Sequence, residues 1–321
     1  MIRACKSVVG ALLATSVTIA LAAGPAYPEK EIKFIVPWAP GGSNDLVARV
    51  LQKIVVDDGF RLIIENVPGA TGTIGLTRLA GAKPDGYTIG IGTTSTLTQA
   101  AQGLTTLRPE QFTHIARVSI DPLLLLAPAN GPENLEAFLA EMKKNGGKTS
   151  IGTPGNNNVN HIFASMTARA AGTDYVNAPY PGGSKVITDL VGGHIAAAVL
   201  KPSESKAQID AGYVKPVAVF SENRVPFYPN VPTFKEKGHE IYPYGKVTQM
   251  AYIVAPASLP PAVKDRITEV FRKAIQSDKF KAYATENGFY VDDMTGATLE
   301  SEVVDMQKNL KAIAAKVFKA P

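Results

Sequence analysis

A four-residue turn occurs twice in the sequence, each time between a strand-like and a helix-like segment. Pro40-Gly41-Gly42-Ser43 follows the apolar residues 32–38, and Pro181-Gly182-Gly183-Ser184 follows residues 175–180. After each turn, apolar residues recur at helical spacing. A chain that repeats strand, glycine-rich turn and helix is constrained to an α/β fold with mainly parallel sheets flanked by helices, here in two similar halves.

The remaining apolar segments predict how the two halves are connected. Residues 115–127 end the first run of units, and residues 247–255 follow the second; beyond residue 255 only helical periodicity remains. A helical tail cannot build a sheet of its own, so we expect it to pack on the first half. The chain would then cross between the halves twice, with residues 27–124 and 249–321 forming lobe 1 and residues 125–248 forming lobe 2.

Residues 1–26 have the pattern of a secretory signal peptide. Arg3 and Lys6 precede an apolar stretch, and Ala20 and Ala22 form an A-x-A cleavage site. We expect cleavage after Ala22 and export to the periplasm. Cys5 precedes the apolar stretch, which is the wrong place for lipoprotein attachment, so no lipid anchor is expected.

Composition and charge exclude several classes of function. The formal net charge of +5 falls to +3 without the two signal-peptide charges, and these charges are spread rather than gathered into a basic stripe, so nucleic acid is not an expected partner. The exported chain would have no thiol, which excludes disulfides and cysteine nucleophiles. No metal site is expected, because the four histidines, 114, 161, 194 and 239, have no metal-site spacing. We also expect no cofactor and a monomeric protein.

The two Pro-Gly-Gly-Ser turns predict an anion-binding cleft. Glycine lets backbone N–H groups approach a ligand closely, and a helix N-terminus presents unpaired donors with a partial positive charge. Ligands of open α/β sheets lie outside the carboxyl ends of the strands, which is where these turns fall. Similar turns supply further candidates, namely Thr71 and Gly72 in lobe 1, Thr93 and Thr94 at a strand end, and Thr153, Gly155, Asn156, Asn157 and Asn158 in lobe 2.

Four single side chains allow two interpretations each. Lys201 ends an apolar run, so its ammonium either pairs with a ligand carboxylate at the cleft or is simply exposed. Trp38 and Tyr180 lie beside the two repeated turns and are candidates for cleft walls or for core packing. His161 near the start of a lobe 2 helix is a possible donor to a carboxylate or a structural histidine.

The chain contains the motifs Tyr27-Pro28, Ile35-Val36-Pro37-Trp38-Ala39-Pro40-Gly41-Gly42-Ser43-Asn44-Asp45 with Ala48-Arg49, Glu65-Asn66-Val67-Pro68-Gly69-Ala70-Thr71-Gly72-Thr73-Ile74-Gly75, Pro84-Asp85-Gly86-Tyr87-Thr88, Pro179-Tyr180-Pro181-Gly182-Gly183, Asp189-Leu190-Val191-Gly192-Gly193 and Pro229-Asn230-Val231-Pro232-Thr233. In this order they resemble the motifs of the receptors of tripartite tricarboxylate transporters, the Bug-type family. The resemblance covers the whole exported chain. It implies a two-lobed periplasmic binding protein fold of type II that closes by a hinge, catalyses nothing and delivers a small organic carboxylate to membrane permease subunits.

The turns, the single side chains and the resemblance together give the predicted ligand-binding residues. They are Trp38, Pro40, Gly41, Gly42, Ser43, Asn44, Thr71, Gly72, Thr93, Thr94, Thr153, Gly155, Asn156, Asn157, Asn158, His161, Tyr180, Gly182, Gly183 and Lys201. Lys201 stands where the family pattern leads us to expect a smaller polar residue, and residues 196–198 are all alanine. Lysine there favours a more acidic ligand, whereas an alanine-lined wall favours an aromatic acid.

Two other functions are weighed against transport. Ser203-Glu204-Ser205-Lys206 matches S-x-x-K, but Lys148-Thr149-Ser150, the nearest relative of a K-T-G element, precedes it, which is the wrong order for acyl-serine hydrolases. A ligand-loaded form that signals to a membrane sensor kinase is the second alternative, and the sequence does not separate it from transport.

Overall fold

The computed structural model describes residues 27–318, so the predicted signal peptide and its cleavage site lie outside the described residues. The strands of this part of the chain are β1 (Ile32–Val36), β2 (Leu62–Asn66), β3 (Thr88–Thr93), β4 (Phe112–Asp121), β5 (Leu124–Pro128), β6 (Ser150–Pro154), β7 (Val176–Tyr180), β8 (Ala197–Leu200), β9 (Val214–Val219) and β10 (Gln249–Pro256). The helices are α1 (Ser43–Val55), α2 (Thr73–Ala80), α3 (Thr94–Ala101), α4 (Leu135–Lys144), α5 (Val159–Ala171), α6 (Gly183–Val191), α7 (Pro202–Asp210), α8 (Pro261–Gln276), α9 (Asp278–Asn287) and α10 (Gly296–Val317).

The strands form two five-stranded sheets with the same topology. The first has the order β2-β1-β3-β10-β4 and the second β7-β6-β8-β5-β9. In each sheet one strand is antiparallel to its neighbours: β10 in the first and β5 in the second. Each of these strands directly follows a crossing of the chain between the sheets. The result is the two-lobed α/β fold expected from the sequence.

The apolar stretch at residues 115–127 contains two strands that belong to different sheets. β4 ends at Asp121, and β5 begins at Leu124. Pro122 lies between them, and a proline lacks the N–H that a continuing strand would donate. The crossing is therefore short, and the side chains next to it sit at the junction of the two lobes.

Aromatic and aliphatic side chains fill the space between the sheets and their helices. In the first lobe Phe34, Phe60 and Phe271 are fully buried, and the ring of Phe271 packs against both of the others. Each buried side chain of this kind contributes roughly 2 to 3 kcal/mol of hydrophobic stabilisation. This packing fixes the strand ends from which the loops of the cleft project.

The last helix, α10, carries one apolar stripe. Leu299, Val303, Met306, Leu310 and Ile313 are buried, and their spacing of three and four residues places them on one face. This helix packs mainly on α3 and β4 of the first lobe and also touches α5 of the second.

Candidate functional site

The two Pro-Gly-Gly-Ser turns lie against each other across the cleft. The Ser184 hydroxyl donates to the Pro40 carbonyl over 3.2 Å. A Cβ atom placed on Gly182 would lie 3.3 Å from the Cβ of Ala39, so the close approach of the two backbones leaves little room for a side chain. The described structure is therefore one in which the lobes are closed on each other.

A second contact joins the lobes at the other pair of glycine-rich turns. The Thr71 hydroxyl donates to the Asn156 carbonyl over 3.0 Å and accepts from the Asn156 N–H over 3.2 Å. The Gln99 side chain donates to the same carbonyl over 2.8 Å, and that of Gln102 donates to the Asn157 carbonyl over 2.9 Å. In lobe 2 these bonds are made by the backbone of Asn156 and Asn157, whose N–H and carbonyl groups are available because the two residues belong to no strand or helix.

A narrow cavity of about 20 Å³ lies where the closed lobes meet. Residues of both lobes line it: Trp38, Gly42, Ser43, Asn44, Ser95, Pro154, Asn160, Gly182, Gly183, Lys201, Glu204 and Gln249. A larger cavity of about 290 Å³, open to solvent, adjoins the crossing between β4 and β5, but it holds none of the repeated glycine turns. The narrow cavity is the candidate site because both turns and two helix N-termini, those of α1 and α6, converge on it.

Trp38 supplies the cavity with a free donor. The side chain is 7% exposed, and its indole Nε1–H has no hydrogen-bond partner in the described residues. A buried donor without a partner is costly, and most such groups in folded proteins are paired. An acceptor brought into the cavity by a ligand would satisfy it.

The loop that carries Trp38 is held by Asp45. The Asp45 carboxylate accepts from the Gly41 N–H and from the Asn66 side chain, each over 2.9 Å, and from Arg49 over 3.0 Å. Burial raises the pKa of this carboxyl, but the hydrogen bonds from Arg49, Gly41 and Asn66 outweigh burial and hold the pKa below its ordinary value. Asp45 thus fixes the first glycine turn rather than facing the cavity.

Lys201 is buried rather than exposed, and its charge is neutralised by the protein. The side chain is 5% exposed, and Nζ lies 2.9 Å from Oδ2 of Asp121, which is 3% exposed. The same carboxylate oxygen accepts from the Ser119 hydroxyl over 2.7 Å. Since Asp121 ends β4 and Lys201 follows β8, this ion pair joins the two lobes next to the crossing.

Glu204 places a carboxyl between the two glycine turns. Its Oε2 accepts from the Lys201 N–H over 3.2 Å, and its Oε1 lies only 2.3 Å from where a Cβ of Gly183 would be. The residue as a whole is partly exposed, but its carboxyl group is enclosed. Burial raises the pKa of this carboxyl, against the opposing effects of the Lys201 charge and of the backbone N–H groups of Lys201 and Ser43.

Several predicted site residues lie away from this cavity. Thr71 and Asn156 belong to the second contact between the lobes, together with their neighbours Gly72, Gly155 and Asn157. Pro40 and Gly41 form the first turn without lining the cavity. Three other predicted side chains are bonded within their own lobes: Thr93 to Thr96, Thr153 to Asn177 and Asn158 to Pro154. The Thr94 hydroxyl donates to the carbonyl of Thr248, the last residue of lobe 2, over 2.9 Å.

His161 and Tyr180 also bond to protein groups. Nδ1 of His161 accepts from the Asn157 N–H over 3.0 Å, and burial lowers the pKa of the imidazole to about 4. The Tyr180 hydroxyl donates to Asp189 over 2.7 Å. Neither side chain is part of the cavity lining. The imidazole is therefore neutral near pH 7 and stabilises the loop that carries Asn157.

Sequence reasoning missed three residues that line the cavity, Asn160, Glu204 and Gln249. Two further lining residues, Ser95 and Pro154, belong to the same turns as the predicted Thr94 and Thr153. Glu204 lies inside the S-x-x-K match, in which only Ser203 and Lys206 correspond to catalytic residues. One signal was available: three residues after Lys201, Glu204 is at the position from which an acid caps a helix and so points back at the turn.

The S-x-x-K match has no catalytic geometry. The Lys206 ammonium lies 2.6 Å from Oδ2 of Asp210, so it is held as a charged partner of a carboxylate rather than as a free base. Within residues 27–318 no group of three or more His, Cys, Asp or Glu residues is placed to hold a metal ion. No helix in this part of the chain is long and apolar enough to cross a membrane.

Comparison with known proteins places this arrangement in one family. Residues 47–317 match the family described as the tripartite tricarboxylate transporter family receptor. The protein BugT of Bordetella pertussis (strain Tohama I) is 27% identical over 307 aligned positions, and the match covers 92% of this chain and 93% of BugT.

Solved structures share the fold over nearly the whole chain. The periplasmic binding protein BugD is 28% identical with a TM-score of 0.85, and the match covers 91% of this chain and 99% of BugD. MatC from Rhodopseudomonas palustris, solved with bound malate, is 24% identical with a TM-score of 0.83 over 90% of this chain and 100% of MatC. At that identity the likeness to MatC shows a common fold.

Proposed function

The chain belongs to the tripartite tricarboxylate transporter receptor family, and from this premise we propose that it captures a small organic carboxylate between its lobes and delivers it to membrane permease subunits. It acts as an exported monomer in the periplasm, without a lipid anchor, and turns over nothing. Lobe 1 comprises residues 27–124 and 249–321, and lobe 2 comprises residues 125–248.

The unpartnered indole N–H of Trp38 carries the proposal. It lies in a cavity that both lobes line, beside the N-terminus of α1. The N-cap residue of this helix is Gly42, so no side chain caps the helix there. N–H groups at a helix N-terminus and a buried indole donor together suit an anionic oxygen ligand, because each of them donates and none accepts.

Binding follows from closure of the two lobes. In the open protein a carboxylate contacts Trp38 and the first glycine turn; closure then adds the Gly182-Gly183 turn of lobe 2 and the polar contact between Thr71 and Asn156. A ligand that contacts both lobes stabilises the closed arrangement through this differential affinity. Small-angle scattering tests this step, because an unchanged shape with and without saturating ligand would contradict it.

A thermal-shift screen tests the function on the chain that begins at Ala23. A ligand at 100 times its Kd stabilises the folded state by about 2.7 kcal/mol, which raises the unfolding midpoint of a chain of this size by roughly 5 °C. We expect such a shift with one class of carboxylate and a clearly smaller one in Trp38→Phe. Shifts only with uncharged solutes, on protein free of carried-over ligand, would refute the proposal.

Delivery to a permease needs a cellular experiment. Deleting the gene should abolish uptake of the ligand that the screen identifies. Loss of a transcriptional response with uptake intact would instead favour a sensory role.

A further inference from the structure

The cavity between the closed lobes has less room than a carboxylate ligand needs. Its volume of about 20 Å³ is close to that of one water molecule, whereas ligand pockets usually hold about 300 Å³ or more. The carboxyl group of Glu204 lines this cavity and lies between the two glycine turns. A carboxyl of the protein itself therefore fills the space in which a ligand carboxylate is proposed to bind.

The Glu204 carboxyl reaches from lobe 2 to the first glycine turn of lobe 1. Its Oε2 accepts from the Lys201 N–H over 3.2 Å within lobe 2, and the Ser43 N–H at the start of α1 approaches the carboxyl from lobe 1. Its Oε1 lies 4.0 Å from where a Cβ of Gly42 would be. The Lys201 charge, these N–H groups and the N-termini of α1 and α6 partly offset the cost of burying the carboxyl. Glu204 thus uses the donors at α1 that a ligand carboxylate would use.

The absence of a side chain at Gly183 makes room for this carboxyl. A Cβ at that position would overlap both carboxyl oxygens and the Cδ atom of Glu204. Gly183 begins α6 and is not among the glycines with positive φ, so its backbone conformation is open to other residues. The neighbouring carboxyl, rather than the backbone, is what requires glycine there.

From these contacts we propose that Glu204 competes with the ligand: its carboxyl fills the place of the ligand carboxylate when the lobes meet, and a ligand binds only by displacing it. The inference rests on the proposed capture of a carboxylate at Trp38 and the first glycine turn. Glu204 is partly exposed, so its carboxyl has a path to solvent. Leaving the cleft breaks the hydrogen bond from the Lys201 N–H, and the loss of such a bond changes an equilibrium about three- to tenfold. Glu204 thereby lowers the affinity of the receptor.

Truncation of Glu204 tests the competition by calorimetric titration with succinate, citrate and benzoate. Glu204→Ala should bind each acid that the wild type binds at least about threefold more tightly, because no side chain has to leave the cleft. Glu286→Ala on the exposed face of α9 is the control and should bind as the wild type does. A side chain that only caps α7, or that contacts the ligand, would give unchanged or weaker binding in Glu204→Ala. Either result would overturn the competition and leave carboxylate capture standing.

The position of the Glu204 carboxyl is tested without any ligand. Gly183→Ala should lower the urea midpoint of the otherwise wild-type protein by about 0.5 M, because the new Cβ displaces the carboxyl. In Glu204→Ala the same change should leave the midpoint unchanged or raise it, since alanine is favoured over glycine in a helix. An equal fall in both backgrounds would mean that the carboxyl does not lie beside Gly183, and the competition would be wrong. Binding of no acid by any of the proteins would instead contradict carboxylate capture itself.

Discussion

The Ser184 hydroxyl donates to the Pro40 carbonyl over 3.2 Å, and each of these residues belongs to one copy of the turn that the sequence repeats. Two copies separated by more than a hundred residues thus become the two faces of one cleft. The repeat reflects a functional pairing, because glycines at both positions let the two backbones meet.

Ser184→Ala should weaken ligand binding without affecting the fold of either lobe. The lost hydrogen bond forms only when the lobes are closed, and a bond of this kind contributes about 1 kcal/mol, so affinity should fall roughly three- to tenfold. Calorimetric titration measures the effect, with Ser301→Ala on the exposed face of α10 as the control. Equal affinity in both variants would mean that this contact does not help closure.

Gly42→Val should block closure, whereas Gly42→Ala should be tolerated. Gly42 has φ −80°, which any residue adopts, and a Cβ there would lie 4.0 Å from Glu204 Oε1 and from the Gly183 nitrogen. Alanine therefore fits, but the two further carbons of valine enter the space between the turns. We expect at least about a hundredfold weaker binding for valine and less than about tenfold for alanine, which is more than about 1.4 kcal/mol between them. Similar affinities would contradict the assigned site.

Lys201→Met should destabilise the protein by roughly 3 to 5 kcal/mol, because it leaves the buried Asp121 carboxylate without its partner. Replacing both residues, with Asp121→Asn added, should restore most of that loss, since neither charge then remains buried. Urea unfolding of the two single variants and the double variant gives the coupling free energy. A double variant as unstable as Lys201→Met would show that the pair contributes through packing alone.

The stability of the protein should depend on His114 between pH 6.5 and pH 4. This side chain is 4% exposed, its Nδ1 has no partner in the described residues, and burial lowers the pKa to about 4 despite the opposing charge of Glu110. The unfolded chain binds a proton below about pH 6.5 and the folded chain only near pH 4, so stability falls as the pH drops through this window. The contribution reaches roughly 3 kcal/mol at pH 4.

His114→Met removes the titrating group and should flatten this part of the profile. Urea unfolding of wild type and variant at several pH values between 7 and 4 provides the comparison. Parallel profiles would mean that the imidazole has the same pKa in the folded and in the unfolded protein.

Strands and helices with clear apolar periodicity were predictable from the sequence. The repeated turns and the two-lobed organisation follow from residues 32–55 and 175–191, where local pattern and tertiary burial agree. The segment around Thr93 and Thr94 was predicted only as the end of a strand, but Thr93 is the N-cap of α3. The short segment after Thr93 is rich in threonine and has no helical periodicity of apolar residues. The helix is stabilised by its packing on α10.

The charges of the cleft could not be predicted. Asp121 and Lys201 are 80 residues apart, and nothing local to either predicts that the ends of two strands from different sheets bring them to one point. Glu204 was missed for the same reason, since its role depends on how the lobes close. Periodicity reports which face of an element is buried, whereas the partners of a buried polar group depend on tertiary structure.

Trp38 is the only tryptophan in the chain, and its fluorescence during a titration with carboxylates tests the central claim most directly. If a carboxylate binds against the indole between the lobes, the emission should change saturably with that ligand and should not respond to its uncharged amide or ester. Emission that no carboxylate alters at millimolar concentration, or that an uncharged analogue alters equally, would contradict a carboxylate receptor with its site at Trp38.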